Sequence, residues 1–322
     1  MSWRLPSEIK KVAAKLKSFA AFLKGIQMNQ KKIREAYALI FLTFCIWGSI
    51  YIAGKIASET IPSYLIAMLR SILSLIPLWI MSVGHMPFQV EKEDMKYFVL
   101  IGFLGYFLCI QAVQLGIQLT GASMASLLNS MTPIVVTVCS AVFLKEKVTA
   151  TKMVCLVLAV MGTVIITKGT NSRAELGGVL AVLISVMSFG MASVLMRRVA
   201  VKYPPVVITA IAMTISVIFH LPIGIWSALT MPVIITSKAV WALLFLGFVG
   251  SGVSQATWTK ALSILPASTC SLFYPFQPLL SAFLGFLILK ETFQLHFCIG
   301  LILISLDVVL NTLEAKKQAG KI

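Results

Sequence analysis

Residues 122–146 read ASMASLLNSMTPIVVTVCSAVFLKE, and residues 267–291 read ASTCSLFYPFQPLLSAFLGFLILKE. One shift of 145 positions lays Ala122-Ser123 on Ala267-Ser268, Ser126-Leu127 on Ser271-Leu272, Pro133 on Pro278, and Leu144-Lys145-Glu146 on Leu289-Lys290-Glu291. The same shift carries Gly102 to Gly247 and Gly105 to Gly250. The second half of the chain therefore repeats the first. Each unit holds an odd number of apolar spans, so two units in tandem enter a bilayer with opposite orientations. Inverted repeats of that kind belong to alternating-access carriers.

The composition fits that reading. Of 322 residues, 59% are hydrophobic and only 12% charged, which excludes an ordinary soluble domain. Ten apolar stretches, each of roughly 20 residues, are long enough to cross a hydrocarbon core as helices. They fall at 36–55, 62–83, 95–117, 121–144, 150–168, 175–197, 204–229, 238–262, 266–289 and 293–313. The runs are continuous and not alternating, which argues against a membrane β-barrel. The fold class expected is an all-α integral membrane protein: ten transmembrane helices in two inverted five-helix repeats, 36–168 and 175–313.

Two short segments flank the repeats. Within residues 1–35, Leu5, Ile9, Val12, Leu16, Phe19, Leu23 and Ile26 form a helical apolar stripe, with Lys10, Lys11, Lys15, Lys17 and Lys24 off it. A basic amphipathic helix of this kind lies on an anionic membrane surface. Residues 314–322 form a short tail.

A net charge of +16 raises the question of nucleic acid. The distribution answers it. With the N-terminus in the cytoplasm, 20 of the 27 Lys and Arg fall in cytoplasmic segments, five on the opposite side, and two, Arg70 and Lys260, within spans. This is the positive-inside bias, with both termini cytoplasmic in a cell membrane. The basicity is topological and points to no nucleic-acid partner.

The six cysteines lie inside spans and form no CxxC pair, and the three histidines are far apart. They read as buried hydrophobes and packed rings, so no disulfide frame, metal site or cofactor is expected. No phosphate-binding Gly-x-x-x-x-Gly-Lys-Ser/Thr loop is present to couple ATP. No HExxH or paired intramembrane aspartate supports an enzyme.

Local patterns then converge. The first span carries Trp47-Gly48-Ser49 and closes with Lys55, and the second carries Arg70. The fourth runs from Ala122-Ser123 through Asn129-Ser130-Met131-Thr132-Pro133 to Leu144-Lys145-Glu146-Lys147, and the ninth repeats its Pro and Leu-Lys-Glu elements. Over residues 36–313 the chain resembles the EamA-type branch of the drug/metabolite transporter superfamily. That resemblance implies a secondary transporter with a central cavity between two inverted halves. At an offset of 142, Trp47-Gly48 meets Phe189-Gly190 and Pro62 meets Pro204, but Arg70 meets Ala212. The halves are not equivalent.

Polar side chains at membrane depth are costly and gather where a bundle encloses a cavity, or where helices are glued by hydrogen bonds. The cavity candidates are Gln111 (with Gln114 and Gln118 on one helical face), Asn129 and Gln255, joined by the mid-span rings Trp47, Trp258 and Tyr274. Each is equally a packing position. Arg70, too deep to snorkel, either bonds carbonyls and hydroxyls or holds an anionic group. Asp307, standing where the first repeat has Gly162, either reaches water or carries a coupling proton. Pro133 and Pro278 break helical hydrogen bonding and supply hinges.

The function expected is export of a small metabolite by alternating access: an amino acid, a similar neutral or zwitterionic solute, or a drug-like compound. Proton or exchange coupling would drive it. A passive channel for small polar solutes is the alternative. The topology is checked by cysteine substitution at Arg173 and Arg198 followed by labelling of intact cells with an impermeant maleimide. The Arg173 site is expected to label from outside and the Arg198 site only after permeabilisation.

Overall fold

The computed structural model describes residues 7–86, 88–145, 173–271, 273–274 and 276–291, with isolated positions between 153 and 161 and between 295 and 306. Among these residues it is all-helical, and eight helices are long and apolar enough to cross a membrane. Helix α1 runs unbroken over Ser7–Ser58, its spanning part being Gln30–Ser58. It is followed by α2 (Ser63–Ser82), α3 (Met95–Thr120) and α4 (Ala122–Phe143). The second group is α5 (Arg173–Val199), α6 (Pro205–Thr230), α7 (Ser237–Ile264) and α8 (Ala267–Leu289). These match eight of the ten expected spans. The expected fifth and tenth, and Asp307 with the tenth, lie outside the described residues. The amino-terminal segment is helical from Ser7 and continuous with the first span.

The ends of the bundle are tied by polar contacts. At one end the Glu291 carboxylate accepts hydrogen bonds from the Ser123 hydroxyl and, at 3.3 Å, from the backbone N–H of Ala122, joining the end of α8 to the start of α4. Nearby, Lys55 Nζ donates to the Gln118 carbonyl (3.4 Å) and the Ser63 N–H to Gln118 Oε1 (3.2 Å), gathering α1, α2 and α3. At the other end Lys202 bridges Glu91 and Asp94, the latter at 2.7 Å, and Tyr203 Oη donates to Asp94 at 2.6 Å. There Arg197 Nη1 donates to the Leu262 carbonyl at 2.5 Å. Helix α3 thus ends where α7 begins, and the two run in opposite directions; so do α4 and α8.

Local irregularities recur at the 145-residue shift. Helix α3 widens into a π-helical segment at Ile101–Leu108, and α7 does the same at Phe245–Val253. Helix α4 breaks after Asn129 and restarts at Thr132, where Pro133 lacks an N–H to continue the ladder. Helix α8 breaks between Ser271 and Phe276. Lys145 and Lys290 both take left-handed backbone, with φ of 55° and 52°.

Packing recurs as well. A Cβ added at Gly102 would sit 2.7 Å from the Ala212 carbonyl and 3.1 Å from the Ile215 side chain; one at Gly247 would sit 3.3 Å from the Arg70 carbonyl and 2.4 Å from Leu73 Cβ. Ala212 and Ile215 are Arg70 and Leu73 shifted by 142. Close approach of α3 to α6 and of α7 to α2 therefore uses equivalent positions, and both need glycine.

Lys202 and, after it, Tyr203 hold the Asp94 carboxyl below its ordinary range by hydrogen bonding its charged form. The folded state thus binds that proton less readily than the unfolded one. The contact supports the fold at neutral pH and is lost as pH falls through the lowered value. The apparent Tm of the purified protein is expected to fall as pH drops below about 5, and Asp94→Asn to flatten that dependence while lowering the neutral-pH Tm.

Candidate functional site

Seven of the eight helices contribute to a void at mid-bundle of about 40 Å³, room for a few waters and well below the volume of a small-molecule site in this conformation. Its walls include Trp47, Ile50 and Tyr51 from α1, Arg70 from α2, Cys109, Ile110 and Val113 from α3, and Asn129 from α4. Ser185 and Phe189 come from α5, Gln255 from α7, and Tyr274 and Gln277 from the broken stretch of α8. Several occupy equivalent positions in the two halves: Trp47 and Phe189, Asn129 and Tyr274, Ile110 and Gln255. The helix breaks explain two of these. Thr132 Oγ1 donates to the Asn129 carbonyl (2.7 Å) and the Ser130 hydroxyl to the Leu127 carbonyl (2.5 Å), closing the first segment of α4 so that Asn129 ends at the cavity. Tyr274 sits in the corresponding turn of α8, its N–H bonded to the Ser271 carbonyl at 3.1 Å.

The aromatic residues form one connected cluster. Trp47 lies 5.2 Å from Trp258, 5.5 Å from Phe189 and 5.8 Å from Tyr274 between ring centroids, and Phe44 lies 5.0 Å from Tyr274. These separations suit edge-to-face packing. Trp47 Nε1 donates to Ser254 Oγ at 2.8 Å, which fixes its ring between α1 and α7. Trp258 stands behind the cavity wall, fully buried.

The amides form a second set. Gln277 Oε1 accepts from the Tyr51 hydroxyl at 3.1 Å and, at 3.5 Å, from Asn129 Nδ2, leaving Gln277 Nε2 without a partner. Gln255 Oε1 and Arg70 Nη1 are likewise buried without partners, while Arg70 Nε donates to Ser251 Oγ at 2.9 Å. Cys109 and Ser185 share a contact of 3.2 Å beside them.

Of the residues singled out from sequence, Trp47, Asn129, Gln255, Tyr274 and Arg70 line this void together. Gln111 and Trp258 do not. Gln111 Nε2 is 3.0 Å from His220 Nδ1, while His220 Nε2 faces the Tyr106 carbonyl at 3.2 Å. Gln114 bonds the Gly54 carbonyl and Ser58, and Gln118 bonds Ser63, so the glutamine face of α3 stitches it to α1, α2 and α6. Pro133 and Pro278 lie in the second segments of α4 and α8, and Pro278 is buried. The sequence reading missed Tyr51, Phe189 and Gln277. Each carried a signal: Tyr51 is one helical turn from Trp47, Phe189 is Trp47 shifted by 142, and Gln277 is an in-span amide three residues from Tyr274.

A model of the EamA-like transporter family matches residues 34–168 and again 176–313. The chain is similar to the uncharacterized transporter YoaV of Bacillus subtilis strain 168, 28% identical over 85% of this chain and 95% of the relative. It is also similar to an uncharacterized transporter of Archaeoglobus fulgidus, 25% identical over 86% of this chain and 99% of that one. A solved crystal structure shares the fold, with a TM-score of 0.67 at 16% identity, over 88% of this chain and 98% of its own.

Truncating Trp258 opens the ring cluster from behind while leaving every cavity side chain in place. Trp258→Ala is expected to destabilise by about 3–5 kcal/mol and Trp258→Phe by much less, measured by thermal unfolding in detergent.

Proposed function

The chain belongs to the EamA-like transporter family, and on that premise we propose that it is a secondary carrier that exports a small metabolite by alternating access. The cargo is a compact neutral or zwitterionic solute, held in the central cavity by Trp47, Asn129, Gln255 and Tyr274. The observation that carries this reading is a convergence: side chains from both family-matched segments line one mid-bundle void, small in this conformation, whose wall combines aromatic rings with amides. Rings bury the body of an organic solute, and amides replace the water its polar groups lose.

Two inverted five-helix halves, 36–168 and 175–313, are the proposed moving framework. The opposed directions of α3 and α7, and of α4 and α8, support it, as do the π-helical segments and left-handed lysines that recur at one shift. The breaks near Pro133 and Pro278 are the proposed hinges. The excess of Lys and Arg on one side supports cytoplasmic termini in a plasma membrane. Coupling to protons or to a counter-solute would supply the drive, and Asp307 is the candidate proton carrier.

Reconstitution into proteoliposomes tests this. Flux of a panel of radiolabelled metabolites is expected to saturate and to be accelerated by the same solute on the far side. Gln255→Leu and Asn129→Leu are expected to lower that flux tenfold or more at unchanged Tm. Gln111→Leu is the contrast: it strips His220 of a partner, so Tm falls while apparent affinity holds. Flux that neither saturates nor responds to trans solute would establish a channel instead.

A further inference from the structure

A recess of another kind opens at each end of the bundle. One, a cleft of about 270 Å³, lies between the start of α3 and the end of α5. The other, of about 700 Å³, lies between α1, the start of α7 and the end of α8. The repeat relates them. Glu93, Lys96 and Tyr97 of the first become Lys238, Trp241 and Ala242 of the second at the 145-residue shift, and Arg198 of the first is Ile56 of the second shifted by 142. The backbone thus forms an equivalent recess twice, and the side chains set the two apart. Lys96 and Arg198 stand where the sister groove has tryptophan and isoleucine.

These two cations are not committed to carboxylates. Among the described residues the ion pairs are those of Lys202 with Glu91 and Asp94, and Lys96 and Arg198 form none. Both rest against a single ring instead: Lys96 Nζ lies 5.3 Å and the Arg198 guanidinium carbon 4.9 Å from the Tyr97 centroid. A ring attracts an exposed cation weakly, and two like charges gathered on it repel each other. Of the carboxylates lining the cleft, Asp94 is taken by Lys202 and Tyr203, and Glu93 pairs with neither cation. An anion between Lys96 and Arg198 would be held from both sides, and the guanidinium presents its donors in a fork that matches phosphate. Lys96 comes from the first family-matched segment and Arg198 from the second.

Apolar surface adjoins this charge. Val99 and Leu100 stand one turn beyond Lys96 on α3 and are exposed, and Val201, in the turn after α5, is 79% exposed. Tyr97 and Tyr203 line the cleft, and tyrosine favours the level of lipid headgroups. On the orientation that the Lys and Arg bias supports, this end is cytoplasmic, facing the leaflet that carries anionic lipid. We propose that the α3–α5 cleft binds an anionic phospholipid, its phosphate seated between Lys96 and Arg198 and an acyl chain lying along α3 over Val99 and Leu100. The site depends on neither the cargo nor the direction of transport.

The test adds phosphatidylglycerol or phosphatidylcholine to the purified full-length chain in detergent and reads binding as a rise in Tm. Phosphatidylglycerol is expected to raise the Tm and phosphatidylcholine not. Lys96→Gln and Arg198→Gln should each weaken the response roughly fivefold, and the double variant roughly 25-fold. Both side chains are exposed, so the variants should melt near the wild-type temperature without lipid. Lys96→Arg keeps the charge and should respond as the wild type does. A chain of net charge +16 attracts any anionic surface, so Lys31→Gln with Lys32→Gln is the matched control, removing equal charge outside the cleft, and it should leave the response intact. The proposal is overturned if both lipids stabilise alike, if the Lys96/Arg198 double variant responds as before, or if the Lys31/Lys32 control loses the response as fully as that double variant. It is overturned equally if glycerol phosphate alone stabilises as well at the same concentration, which would make the cleft a site for a free phosphate ester.

Discussion

A polar side chain between membrane helices has no solvent to turn to, so the chain must satisfy it from within. That constraint organises this bundle. Most buried hydroxyls fold back onto their own helix, as Ser71 does to the Ala67 carbonyl, Ser82 to Leu78 and Ser193 to Phe189. A smaller set reaches across and joins helices: Thr43 to Thr257, Trp47 to Ser254, Trp79 to Thr214 and Thr209 to Thr259. What remains unsatisfied is the informative part. Arg70, Gln255 and Gln277 each leave an atom unpaired, and all three face one void. Among the described residues, Thr60 Oγ1, Gln111 Oε1, Gln114 Oε1, Trp258 Nε1 and Ser281 Oγ are also buried without a partner, outside the lining of that void.

The fold was legible because apolar length and repetition are strong signals in lipid. Seven of the expected spans agree with described helices to within a few residues, the first belongs to a helix that begins at Ser7, and the 145-residue shift that pairs Gly102 with Gly247 and Pro133 with Pro278 also pairs the π-helical turns and helix breaks. The site was legible in part, for a definite reason. Repeat symmetry flagged Asn129 and Tyr274 together, and both line the cavity. Polarity alone left Gln111 open: helical spacing puts Gln111, Gln114 and Gln118 on one face but does not say whether that face looks into a void or a seam. It looks into seams with α1, α2 and α6, while the apolar Ile110 and Val113 face the cavity. Tyr51 and Gln277 were passed over because a lone tyrosine or amide is unremarkable until the fold brings its partner across from another helix.

The two halves agree in backbone and differ in chemistry. Gly102 meets Ala212 and Ile215 as Gly247 meets Arg70 and Leu73, so this helix contact recurs at equivalent positions. Yet the cavity positions pair unlike groups: tryptophan with phenylalanine, asparagine with tyrosine, isoleucine with glutamine, arginine with alanine. A scaffold of two-fold character thereby encloses a site with a distinct head and tail. The asymmetry of the lining thus comes from side chains and not from the backbone.

The widened turn of α3 has one more implication. Where the π-helical segment holds Tyr106, its carbonyl meets His220 Nε2 on α6, and His220 in turn meets Gln111 on α3. One imidazole thus rivets α3 to α6 at two points, although these helices come from different halves. Cross-links of this kind join helices across the seam between one sequence copy and the next.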